Sequence, residues 1–123
     1  MPLFRHIEVD YRDDVAVLRI LDARPLAQKA DQLSDEIMEF VELYEPTNLI
    51  VDFGKIEYFS TTVVNALLMA ARNLAQFGGR LKLCSVDDDR RLIRPIAAKC
   101  RIFDVHETLD DAMAAFRVEA VPR

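Results

Sequence analysis

Apolar and polar residues alternate from Ile7 to Tyr11, with Ile7, Val9 and Tyr11 on one side. That period of two marks a strand with one face covered. Arg12-Asp13-Asp14 reads as a tight turn, and Val15-Ala16-Val17-Leu18-Arg19-Ile20-Leu21 as a second strand, so the chain is expected to open with a hairpin. From Leu26 to Tyr44 the period changes. Leu33, Ile37, Phe40, Val41 and Tyr44 recur at helical spacing, while Asp31, Asp35, Glu36, Glu39 and Glu42 fill the opposite side. Pro46 helps to stop this helix.

Leu49-Ile50-Val51-Asp52-Phe53 is apolar apart from one Asp and ends in Gly54, the pattern of a central strand covered on both faces. The apolar helix that follows runs to about Phe77 and closes at Gly78-Gly79, a left-handed C-terminal cap. Arg80 to Val86 reads as the next strand. A helix through Leu92, Ile93 and Ile96, interrupted or kinked by Pro95, follows Asp87 to Asp89. Ile102 to Val105 is a short final strand, and Thr108 starts a last helix with Leu109, Ala112, Met113 and Phe116 inward. Strands alternating with helices imply crossovers between parallel strands. The expected fold is a single α/β domain over residues 1–123, with a mixed, mostly parallel sheet of about five strands flanked by about four helices.

Composition narrows the function classes. A hydrophobic fraction of 51% and a charged fraction of 30% describe a folded globular chain rather than a disordered one. The net charge of −5 argues against a nucleic-acid partner, which calls for a basic surface. No stretch approaches the roughly 20 apolar residues of a membrane span. The N-terminal residues turn acidic at once, without a signal-peptide core, so no direct membrane insertion is expected. Cys84 and Cys100 form no Cys-x-x-Cys pattern and read as buried, reduced thiols, which fits a cytoplasmic location.

The candidate chemistry lies in Ser60, Thr61 and Thr62, three hydroxyls where the central strand hands over to the apolar helix. A hydroxyl there caps free N–H groups or receives a phosphate, which the positive end of the helix favours. Ser60 is the natural N-cap, without the Glu or Gln of a capping box. On the helix, Val63, Val64, Leu67, Leu68, Ala70, Ala71, Leu74, Ala75 and Phe77 cover about half the circumference at 100° per residue. The complementary stripe is Thr61, Asn65, Met69, Arg72 and Gln76, so Thr61 heads the exposed face. Met69 in that stripe is either an incidental surface residue or a flexible contact.

Enzyme chemistry has little support. Asp52-Phe53-Gly54 matches the magnesium-binding tripeptide of protein kinases, but the chain lacks their Gly-rich loop and His-Arg-Asp motif and is too short for that fold. His6 and His106 have no Ser or Cys partner at a recognisable spacing. Asp87-Asp88-Asp89 lacks the alternating ligands of a calcium loop and reads as a helix cap with first-turn acids. Arg90, Arg91 and Arg94 then form a solvated face. No catalytic residue, metal site or cofactor is expected, and no Gly-rich motif supports a bound nucleotide.

The chain resembles the STAS domain, shared by sulfate transporters and bacterial anti-sigma factor antagonists, over nearly its whole length and most densely from Asn48 to Phe116. Leu49 to Phe53 matches the family's strand, Lys55-Ile56-Glu57-Tyr58-Phe59 its loop, Gly78 to Cys84 its Gly-Gly turn and next strand, and Ile102 to Phe116 its ending. The family's helix opens with an Asp-Ser pair whose serine is phosphorylated. Thr61 falls on that serine and Ser60 on the Asp, while Val63 and Asn65 replace two glycines. The resemblance implies a non-catalytic regulator that switches partners. Thr61 would be the phosphorylated residue, with Thr62 and Ser60 as fallbacks. Ser60, Thr61, Thr62, Asn65, Met69 and Arg72 would bind an anti-sigma factor that is also a histidine-kinase-like serine/threonine kinase, with a phosphatase as a further partner. The alternative is a non-phosphorylated accessory subunit of an ABC-type membrane transporter, or a signalling scaffold component.

Overall fold

The structure, a computed structural model, describes residues 4–21, 30–54, 61–85 and 103–120. The elements in chain order are β1 (Ile7–Arg12), β2 (Val15–Ile20), α1 (Ala30–Tyr44), β3 (Asn48–Asp52), α2 (Thr61–Ala75), β4 (Arg80–Cys84), β5 (Phe103–His106) and α3 (Leu109–Ala120). β1 and β2 form the expected antiparallel hairpin, closed at the pair Arg12 and Val15. Its two turn residues, Asp13 (φ 50°) and Asp14 (φ 67°), both occupy the left-handed region. A two-residue turn of that kind matches the twist of the strands, and Asp tolerates it better than most residues.

The sheet order is β1-β2-β3-β4-β5, with every pair after the hairpin parallel. Each crossover moves one strand in the same direction. Right-handed connections therefore place α1 and α2 on one face of the sheet. There Leu33, Ile37 and Phe40 of α1 and Val63, Leu67 and Leu74 of α2 join Leu18, Leu49, Val51 and Leu83 in one buried core. α3 covers the opposite face, where Ala112, Met113 and Phe116 pack with Val15, Val17, Ile50 and Cys84. β3 is thus covered on both sides, and Leu49, Ile50 and Val51 have no exposed surface. Its unbroken apolar run has that cause.

Three helices flank the sheet among the described residues. The helix expected after Asp87 falls outside them, as do Cys100 and the first residues of the helix expected from Leu26. α2 ends in a Schellman turn. The Gly79 N–H donates to the Leu74 carbonyl (2.8 Å), the Gly78 N–H donates to that of Ala75 (3.1 Å), and Gly78 has φ 76°. Thr108 caps α3, its Oγ1 accepting the Asp111 N–H at 3.1 Å.

Several inward assignments need correction. Phe77 is 71% exposed, because the chain leaves the helix after Ala75 and the helical period no longer aims its side chain. Ala75 is exposed and Leu68 only half-buried, whereas Ala66, one heptad before the groove residue Asn73, is buried on the flank of α2 that meets α1. Tyr44 lies at the surface with its ring stacked on Phe40, centroids 5.3 Å apart. The acidic side of α1 is not all solvated: the Glu36 carboxylate accepts the backbone N–H groups of Arg5 and His6 and ties down the N-terminal segment.

Candidate partner-binding surface

Thr61 opens α2, and Ser60 lies outside the described residues. The start of the helix is tethered to α1, since the Ser34 hydroxyl donates to the Thr62 carbonyl at 3.4 Å. The first turn of α2 carries no acidic residue. The partial positive charge of that helix end is therefore not offset by a carboxylate of its own turn, and an added anion would be stabilised there.

Four sequence-predicted contact residues share one surface. Thr62, Asn65, Met69 and Arg72 are all exposed, and Gln76 continues the stripe. Met69, at 56% exposure, is an open apolar spot among polar neighbours. The stripe exists because Val63, Leu67, Ala70 and Leu74 take the core side of the same helix. The helical period then leaves only the complementary positions to solvent.

A row of polar residues that the sequence did not bring together crosses the far face of the sheet. Arg19, Asp52, Cys84 and His106 are successive cross-strand partners at the carboxyl ends of the parallel strands. The lone Arg in the apolar run of β2 and the lone Asp in that of β3 were the signals available. The buried Asp52 accepts the Gly54 N–H at 2.8 Å, and its other oxygen lies 3.7 Å from Arg19 Nε. Its work is to close the strand end.

Cys84 and His106 are neighbours, the residue types of a thiol nucleophile and its base. Burial first, and then the Asp52 carboxylate, push the Cys84 thiol up to about 12. An attacking thiolate needs the opposite shift. His106 Nε2 is buried and has no hydrogen-bond partner among the described residues. His6 is used structurally, 3.2 Å from Gln32 Oε1. No group of three or more His, Cys, Asp or Glu residues that would hold a metal ion occurs among the described residues. None of the described helices is long and apolar enough to cross a membrane.

A five-stranded mixed sheet with its two described crossover helices on one face, and an exposed stripe running from the start of the second helix, is the architecture expected of a STAS domain. The STAS domain family model matches residues 6–112, and the chain belongs to that family. A candidate anti-sigma factor antagonist of Bordetella bronchiseptica, BtrV, is 32% identical over 94 residues, covering 76% of this chain and 79% of that protein. Among solved structures, a Ser-to-Glu variant of RsbS from Moorella thermoacetica superposes with a TM-score of 0.73 at 16% identity, covering 94% of this chain and 98% of that one. The anti-sigma factor antagonist SpoIIAA in its unphosphorylated form gives 0.64 at 17% identity, over 94% and 99%. At these identities the structures establish the shared fold, while the family match and the Bordetella relative place the chain among proteins of the anti-sigma factor antagonist type.

Proposed function

We propose that this protein is a non-catalytic, cytoplasmic anti-sigma factor antagonist that works by phosphorylation-controlled partner switching, with Thr61 as the modified residue. The observation that supports it most is the exposed stripe of Thr62, Asn65, Met69 and Arg72 running from a helix start without acidic residues. In the unmodified state Ser60 and Thr61 join that stripe to bind an anti-sigma factor that is also a histidine-kinase-like serine/threonine kinase, which frees the sigma factor. The kinase, rather than this chain, carries the ATP.

Phosphorylation of Thr61 adds about −1.5 to −2 charge and three acceptor oxygens. Within this chain the new anion is stabilised by the N–H groups of the helix start. At a closely packed interface the same group is a bulky charge deprived of water, which disfavours the complex. The fold need not change, because the signal is local. A phosphatase resets the surface.

The test is to incubate the protein with its cognate kinase and ATP, map the modification by mass spectrometry, and measure binding by titration calorimetry. Thr61 should carry the phosphate. Thr61→Ala should stay bound under phosphorylating conditions, and Thr61→Glu should bind at least tenfold more weakly. Modification confined to other residues, or none, would overturn the switch.

A further inference from the structure

α1 and α2 both run opposite to the parallel strands they connect, so their C-terminal ends lie at the same end of the domain. Between those ends is a shallow groove of about 240 Å³. The buried side chains of Val41 and Leu74 form its floor, and Phe77, 71% exposed, stands beside them. Glu42 and Glu45 line it on the α1 side. At the 1.5 Å rise of a helix, the groove lies about 22 Å along α2 from Thr61.

Three features of this groove are unfavourable to the isolated chain. A phenylalanine is left in water. The last turn of α1 holds Glu42 and no basic residue, and Glu45 follows directly, so two carboxylates sit where backbone carbonyls already concentrate negative charge. Neither carboxylate has an ion-pair partner among the described residues. Glu45 also holds φ 43°, a backbone region better suited to Gly or Asn. One occupant turns the exposed ring and the two carboxylates to advantage.

We propose that the groove docks a basic, amphipathic segment of a partner protein. An aliphatic or aromatic side chain of that segment rests on Val41, Leu74 and Phe77. Its Lys or Arg residues meet Glu42, Glu45 and the carbonyl end of α1. Charge complementarity selects this occupant. A nucleic acid is repelled by the carboxylates, and a second copy in a symmetric contact would set the same acidic rim against itself. The site does not depend on phosphorylation at Thr61.

The experiment titrates the 15N-labelled full chain with a synthetic 15-residue peptide of helical period, with Leu at one face and Lys at all other positions. A second peptide carries Glu in place of every Lys, and a third has the Leu and Lys residues of the first scrambled. The Lys peptide should shift amides concentrated at residues 41–45 and 73–77, and should weaken with salt. The double variant Glu42→Lys/Glu45→Lys, and separately Phe77→Ser, should each lower its affinity at least tenfold. Thr61→Glu should leave the affinity within twofold, which keeps this outcome distinct from that of the switch. The proposal is overturned by equal binding of the Glu or scrambled peptide, by shifts spread along Asp35, Glu36 and Glu39 without dependence on Phe77, or by no shifts. Concentration-dependent shifts at the same residues without peptide would assign the groove to a second copy and overturn it equally.

Discussion

Lys82 Nζ stands 2.9 Å from Asp104 Oδ2, although the lysine side chain is 1% exposed and the aspartate 64%. The two residues are direct cross-strand partners on β4 and β5, under α3, and the ammonium also lies 4.9 Å from the centroid of the Phe116 ring. A cation taken from water requires such partners, and a ring face adds to what a carboxylate supplies.

Removing the carboxylate while keeping the ammonium should therefore cost more than removing both. Asp104→Ala is expected to lower stability by about 1–3 kcal/mol, as for a buried charged donor deprived of an acceptor. Lys82→Met, which keeps the stem and removes the charge, should change it by less than about 1.5 kcal/mol. Urea denaturation of both single variants and the double variant measures the coupling. Acid should act on the same pair. The hydrogen bond from Lys82, above all, holds the Asp104 carboxyl below its ordinary value. Its contribution is then complete above the unfolded pKa of about 3.9 and is lost as pH falls through the lower folded value. Asp104→Asn should flatten that acid limb.

Cys84 should make the protein sensitive to alkali. Its thiol remains protonated in the fold up to about 12, whereas the unfolded thiol ionises near its ordinary value of 9.0. Between those values the folded state binds the extra proton, so stability should fall with rising pH by up to about 1.4 kcal/mol per unit. In a Cys100→Ser background, Cys84→Val should remove the slope. A thiol reagent should reach Cys84 only after unfolding.

The turn after α2 should distinguish its two glycines. A Cβ on Gly79 would lie 2.4 Å from the Thr47 carbonyl oxygen and 3.1 Å from that of Leu74, both backbone atoms. Gly79→Ala should cost at least about 1–3 kcal/mol, since backbone must move. At Gly78 nothing lies within 4 Å of a Cβ, and only the positive φ opposes one. Gly78→Ala should cost about 1 kcal/mol. Thermal unfolding ranks the two.

Glu45 should show the opposite sign. Glu45→Gly relieves the left-handed backbone at φ 43° and removes a carboxylate from the negative end of α1. A gain of about 1 kcal/mol is expected, a rise of about 3–6 °C in Tm. The same variant should weaken binding of the Lys peptide, which would identify Glu45 as a residue kept for contact rather than stability.

The sequence by itself determined the hairpin, the strand covered on both faces, the Schellman turn at Gly78-Gly79 and the outward stripe of Asn65, Met69 and Arg72. Each follows from a local period of two or 3.6 or from one residue's backbone preference, and burial on one side of an element enforces that period. Tertiary structure alone decided what covers each face. Lys82 is buried because α3, about thirty residues later in the chain, lays Phe116 over it, and its carboxylate arrives on β5. Arg19, Asp52, Cys84 and His106 become one row only through three strand registers that no local pattern specifies. Phe77 faces solvent because its helix stops two residues earlier, and its place beside Glu42 and Glu45 depends on α1 and α2 sharing one face of the sheet. The direction and handedness of the crossovers create that juxtaposition, and they are properties of the assembled sheet rather than of any one segment.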